Sequence, residues 1–272
     1  MSSLREYHGF PNSLVMGPGK NVIGGGPVNS LARRTGASML VGDATLWTPA
    51  EITTALWLDA SDAATITLES SAVSQWADKS GNARHATQST ANARPTVSAA
   101  AINGLDVLTF DGSNDFLTLG TTLGRPASYT VFVVSKVTRA LSNAQAVFAS
   151  LETGGNSRNS CMTIANDSGG AFWNYGNGSD YRWGTASGGF TLNTTAQLCL
   201  VHSNGTQDES VYRDGSLLTN GALAGTATAN SGTAQPTSVG VFGGGGGWYL
   251  GGNVAEVIVL LSATDADNRQ KV

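Results

Sequence analysis

Residues 106–120, DVLTFDGSNDFLTLG, set the tightest limit on what this chain can fold into. Val107, Thr109, Leu117 and Leu119 are β-formers placed around Phe110-Asp111-Gly112-Ser113-Asn114-Asp115-Phe116, whose Gly, Asp, Asn and Ser tolerate turn geometry. The spacing predicts strand, tight turn, strand. Further runs of this kind recur between turn signals at 129–137, 145–151, 160–165, 171–175, 197–203, 209–213, 238–242 and 254–261. That rhythm implies an all-β, two-sheet antiparallel sandwich. Tyr129–Val137 scarcely alternates at Val131-Phe132-Val133-Val134, which predicts a central strand covered on both faces.

A chain of 272 residues, 40% hydrophobic and only 12% charged, can build a sizeable core under a surface of Ser, Thr, Asn and Gly. Its 35 glycines suit a turn-dense β protein and argue against a helical one. A formal charge of −4 supplies no basic surface for nucleic acid. The opening MSSLREYHGFPNS lacks the apolar run of a signal peptide, and no apolar window is long enough to cross a membrane as a helix. The expectation is synthesis in the cytoplasm without membrane insertion. Cys161 and Cys199 both sit in apolar surroundings, as two buried thiols would.

Two domains are expected. Residues 1–46 are an irregular N-terminal arm, Gly- and Pro-rich at GPGK and GGGP, unable to bury a core of its own and suited to attachment on a partner. Residues 47–272 are the sandwich. Thr48-Pro49-Ala50-Glu51 predicts a helical turn that delivers the chain into a first strand at Ala55–Leu58. Thr264-Asp265-Ala266-Asp267 reads as a second capping box, opening a helix of about two turns, too short to stand alone and expected to be frayed or docked through Val272.

Four motifs follow one another in order: Trp57-Leu58-Asp59-Ala60, Trp76-Ala77-Asp78-Lys79-Ser80-Gly81-Asn82, Phe110-Asp111-Gly112 with Asp115-Phe116-Leu117, and Val211-Tyr212-Arg213-Asp214-Gly215. This series resembles the laminin-G-like, concanavalin-A-like jelly-roll domains of bacteriophage tail-fibre and virion proteins. The resemblance implies a jelly-roll sandwich displaying a binding surface, with Trp57 and Trp76 as core residues of family-like strands.

Several groups carry possible chemistry. Phe172-Trp173-Asn174-Tyr175 and Tyr181-Arg182-Trp183 interleave aromatic faces, which stack on sugar rings, with hydroxyl-binding Asn174, Asn177, Asp180 and Arg182. On a strand one of the pairs Phe172/Asn174 and Trp173/Tyr175 belongs to the core, and Trp183 is open between groove and core. Trp248 and Tyr249, after Gly243–Gly247, offer a second stacking surface; the glycine run lacks the Lys and Ser/Thr of a phosphate loop. Asp78, Ser80 and Asn82, and again Asp111, Asn114 and Asp115, space oxygens as a calcium loop does, yet serve equally as turn formers accepting backbone N–H bonds. Some laminin-G-like relatives bind calcium near such loops.

Catalysis is disfavoured. Some jelly-roll relatives are glucanases, which set two carboxylates on one strand face, but no Glu-x-Asp-x-Glu is present, and adjacent Asp208 and Glu209 point to opposite faces of a strand. His8, His85 and His202 are scattered and belong to no nucleophile motif. The resemblance, with the missing carboxylate motif, implies a non-enzymatic virion structural protein (tail fibre, spike or head-decorating protein). It is expected to join other virion proteins through residues 1–46, to self-associate, to require no cofactor beyond an optional calcium ion, and to present a carbohydrate-binding jelly roll to host-surface glycan. The alternative is a purely architectural capsid or tail cementing protein without sugar affinity.

Overall fold

The computed structural model describes residues 16–17, 20–21, 49–121, 123, 127–142, 144–153, 158–164, 170–176, 181–203, 209–225, 233–234, 237–242, 247–266 and 269, with residues 16–17, 20–21, 50 and those in 150–164, 172–183 and 222–234 described by backbone alone. The chain divides into Met1–Thr48 and Pro49–Val272. In the first unit β1 (Met16–Gly17) pairs antiparallel with β2 (Lys20–Asn21), Met16 opposite Asn21.

The second unit begins with a single 3₁₀ turn, Pro49–Glu51, whose Pro49 carbonyl accepts the Thr54 hydroxyl at 2.6 Å. Eleven strands then lead to the first half of the sandwich and beyond: β3 (Leu56–Asp59), β4 (Ile66–Glu69), β5 (Ala72–Trp76), β6 (Ala86–Thr87), β7 (Thr96–Ile102), β8 (Leu105–Asp111), β9 (Leu117–Leu119), β10 (Tyr129–Val137), β11 (Gln145–Thr153), β12 (Arg158–Ile164) and β13 (Ala171–Gly176). The remainder are β14 (Tyr181–Ala186), β15 (Thr195–His202), β16 (Ser210–Arg213), β17 (Ser216–Leu217), β18 (Asn220–Gly225), β19 (Thr233–Ala234), β20 (Ser238–Val239) and β21 (Gly251–Leu260).

They form two antiparallel sheets. The eight-stranded sheet runs β17-β16-β15-β10-β21-β8-β7, with β3 also on β21. The eleven-stranded sheet runs β18-β14-β13-β12-β11-β20-β9-β6-β5-β4, with β19 on β11. Leu56, Leu58, Trp76, Phe110, Leu117, Tyr129, Val131, Val133, Phe148, Leu198, Leu200 and Val257 fill one continuous core. The all-β antiparallel sandwich expected from strand rhythm is the fold observed.

Two local expectations change. The 106–120 stretch is no hairpin: β8 pairs with β7 and β21, whereas β9 pairs with β6 and β20. The Asp111–Phe116 turn hands the chain from one sheet to the other. Trp57 also lies outside the main core. Leu56 and Leu58 take the inward positions of β3, so Trp57 alternates outward. There it ends an apolar row of Tyr212, Cys199, Phe132, Ile258 and Trp57, consecutive across β16, β15, β10, β21 and β3.

That row explains the run Val131–Val134. Val131 and Val133 enter the main core, while Phe132 enters the second cluster on the opposite face. Burial pushes the Cys199 thiol up to about 12, so it is an inert core group; the Cys161 side chain lies outside the described residues. The C-terminal segment returns along this face. Thr264 donates its N–H to Thr130 Oγ1 at 2.9 Å, and the Arg269 guanidinium stands 4.3 Å over the Tyr212 ring. Docking thus runs through Thr264 and Arg269; Val272 is outside the described residues.

Candidate functional site

Three segments converge where β8, β10 and β21 meet: the Asp111–Phe116 turn, the connection after Val137, and the residues leading into β21. Gly251 stands opposite Asp111 on one side, and Gly252 opposite Val137 on the other. Thr138 and Arg139 both donate their N–H to the Gly251 carbonyl at 2.9 Å. The Arg139 guanidinium reaches on to donate to the Gly112 carbonyl. A Cβ on Gly251 would lie 2.5 Å from Arg139 Cβ, and one on Gly112 would lie 2.9 Å from Arg139 Cδ, so only glycine lets this arginine pack between the two segments. Gln145, fully buried, closes the joint: its Oε1 accepts the Gly251 N–H at 2.9 Å, and its Nε2 donates to the Arg139 and Ala140 carbonyls at 3.2 and 3.1 Å.

Trp248 projects from this scaffold. It is 37% exposed and adopts φ +56°, a left-handed conformation costly for a bulky residue. Ala146 fixes it by donating to its carbonyl at 2.8 Å, and the Phe242 ring leans on the indole with centroids 4.5 Å apart. Tyr249 meets Phe116 of the sheet-switching turn at 6.4 Å. The aromatic pair and the turn, read separately in the sequence, meet at this Tyr249–Phe116 contact.

The turn is locked by two aspartates. Asp111 Oδ1 accepts the N–H groups of Ser113, Asn114 and Asp115 at 2.8, 3.1 and 3.2 Å, while Asp115 Oδ2 accepts the Asp111 N–H at 3.0 Å. Burial pushes the Asp111 carboxyl up, but these backbone donors outweigh it and hold the group below the ordinary carboxylate range. Asp115 is buried; that burial and the neighbouring Asp111 charge push it up to about 6, its one backbone bond offsetting them only in part. Asn114 donates its side-chain amide to the Asn92 carbonyl, and Phe116 its N–H to Ala93 at 3.1 Å, docking the turn on the 3₁₀ segment Ala91–Ala93.

The Asp78 loop is elsewhere and fully engaged. Asp78 Oδ1 accepts Trp57 N–H and Ser80 N–H at 3.0 and 2.9 Å; Oδ2 accepts the Ser80 hydroxyl and Arg84 N–H at 2.8 and 3.0 Å. Its own N–H goes to His85 Nδ1 at 3.0 Å. Asn82 directs its amide nitrogen at the Thr54 and Ala55 carbonyls, 3.0 and 3.3 Å away. Calcium needs about six to eight converging oxygens. Against that requirement, both Asp78 oxygens, Asp111 Oδ1 and Asp115 Oδ2 already receive hydrogen bonds from the loops that carry them. Among the described residues no cluster of three His, Cys, Asp or Glu has metal-binding geometry. Both stretches have the bonding pattern of structural turns.

Trp173, Asn174 and Tyr175 fall on β13, and Arg182 and Trp183 on β14, with Asn174 opposite Trp183 and Tyr175 opposite Arg182. Their side chains, and Asn177 and Asp180 altogether, lie outside the described residues. β13 is separated from β20 by β12 and β11, a spacing of about 14 Å at roughly 4.8 Å per strand, so the β13–β14 group is not brought to β20, the strand that leads into the Trp248 run. Phe116, Arg139, Gln145 and Phe242 were not foreseen as parts of the site. The FDG motif pointed to the first; no local pattern marks the others, which arrive by tertiary packing.

No protein-family model matches the sequence, and no curated protein matches it. Solved structures do. Domain 4 of AbnA, an extracellular arabinanase of Geobacillus stearothermophilus solved with arabinotriose, superposes with TM-score 0.55 at 13% identity, over 79% of this chain and 95% of that one. The binding domain of Paraclostridial Mosquitocidal Protein 1 gives 0.52 at 11% identity, over 79% of this chain and 50% of that one. Trypanosoma rangeli sialidase gives 0.51 at 14% identity, over 84% of this chain but only 33% of the sialidase. At such identities the likeness is one of fold: the chain is an antiparallel β-sandwich of the jelly-roll kind.

Proposed function

We propose that this chain is a non-catalytic virion protein of a bacteriophage, whose sandwich binds host-surface carbohydrate and whose residues 1–46 attach it to the particle. The observation that carries the binding half is Trp248: an exposed indole, held at positive φ by a rigid joint, beside Tyr249 and the Asp111–Phe116 turn. Aromatic faces with adjacent hydrogen-bonding groups are what sugar recognition requires. The arabinotriose complex of a fold neighbour supports the same reading. The Asp111–Asp115 pair supports binding over catalysis, since each carboxylate spends an oxygen on the backbone of its own turn. The virion half rests on the four ordered motifs that resemble phage laminin-G-like domains.

A glycan array probed with the full chain and with Trp248→Ala tests binding. Hits lost in the variant, with an unchanged melting temperature, are expected; a wild-type chain without hits at millimolar glycan would favour the cementing role. For the virion half, proteomics of purified particles should find the chain, and its absence would remove that assignment.

A further inference from the structure

Asp111 divides its two oxygens unequally. Oδ1 accepts three backbone N–H groups, whereas among the described residues nothing donates to Oδ2, and the residue is exposed. The backbone bonds hold the group ionised at neutral pH. Arg139, the cation of the joint, donates to the Gly112 carbonyl and forms no ion pair with Asp111. The site thus presents an ionised acceptor whose Oδ2 no described residue occupies, on the turn whose Phe116 abuts Tyr249, next in sequence to Trp248. Such an oxygen accepts strongly from a sugar hydroxyl and repels a sugar carboxylate.

We infer that Asp111 is the hydroxyl-reading residue of the Trp248 site, and that the site takes uncharged glycans and rejects those ending in sialic or uronic acid. This inference rests on the carbohydrate-binding reading and deepens it. Among the described residues the turn uses only Oδ1, and Oδ2 is the oxygen the inference assigns to a ligand. Asp111→Asn therefore makes a clean probe: its amide oxygen still accepts the three N–H groups, while Oδ2 becomes a donor.

The experiment measures the full chain against matched neutral and sialylated forms of the same glycan cores. The neutral form should bind at least about tenfold more tightly at low salt, and the gap should narrow at about 0.5 M salt, where charge repulsion is screened. In Asp111→Asn the neutral affinity should fall about tenfold and the gap should close. Equal or tighter binding of the sialylated forms by wild type would make Arg139 the reader and overturn the inference, as would unchanged neutral affinity in Asp111→Asn when Trp248→Ala abolishes it. In either case the carbohydrate reading survives. Failure of every glycan to bind wild type overturns both. Should Asp111→Asn melt early, the wild-type preference and its salt dependence still decide the matter.

Discussion

Tyr129 and His202 stand directly opposite each other on β10 and β15, their rings stacked with centroids 5.1 Å apart and each residue 1% exposed. The register continues to Glu209, next to β16 and equally buried. The Tyr129 hydroxyl donates to Glu209 Oε1, and His202 Nδ1 lies 3.4 Å from the same oxygen. Three polar groups replace apolar core at this end of the sandwich. A carboxylate so deep is tolerated only while donors meet it.

Tyr129→Phe should therefore cost about 1–3 kcal/mol, more than a deleted hydroxyl on the surface, because it strips a donor from a buried acid. Urea unfolding measures it. A loss below about 0.5 kcal/mol would mean that the hydroxyl does not hold the carboxylate.

Asp115 gives a pH signature. Its folded value of about 6 exceeds the ordinary 3.8, so folding favours the protonated form. That contribution is complete below the unfolded value and is lost as pH rises through about 6. Asp115→Asn keeps an acceptor for the Asp111 N–H without the charge. Its stability relative to wild type should improve between pH 4 and pH 7, by on the order of 1–2 kcal/mol. Parallel stability curves across that range would contradict the assignment.

Gly240 separates backbone strain from steric conflict. It has φ +85°, and an added Cβ would fall 2.4 Å from the buried Phe110 ring, so Gly240→Ala should cost about 2–4 kcal/mol. Gly104, at φ +78° with nothing within 4 Å, bears the backbone strain alone. Gly104→Ala should cost about 1 kcal/mol. Similar melting-temperature losses in the two variants would show that Phe110 yields freely.

Asp78→Ala removes the acceptor for four donors at once and should destabilise the chain by about 2–4 kcal/mol. Amide exchange reports where. The N–H groups of Trp57, Ser80 and Arg84 should exchange together in the variant, and continued protection at all three would refute the role given to this carboxylate.

Strand positions were legible in the sequence wherever β-formers ran unbroken, as at Tyr129–Val137, which is β10 to the residue. Sheet membership was not. A turn rich in Asp, Gly and Asn looks the same whether its flanking strands pair together or part company, and only the partners waiting at β21 and β20 decide. Trp57 misled for a related reason. Its motif marks a strand but not a face, and the indole lies beneath Lys79 Nζ at 4.4 Å, bonded to Glu256 at 2.8 Å. Short strands such as β4 and β6 carried too little pattern to be foreseen. Of the site, Trp248 and Asp111 were visible as residue types. Their convergence required Arg139, whose place depends on two distant glycines.

The sheet switch at Asp111–Phe116 bears on mechanical load. A ligand tethered at this end pulls on a turn whose leading strand belongs to one sheet and whose trailing strand belongs to the other. Traction then runs lengthwise into β8 and β9 together and shears several ladder hydrogen bonds at once, whereas a hairpin tip would unzip them one after another. In the proposed role of holding a particle against a host surface, the grip would be set by the shear strength of two sheets.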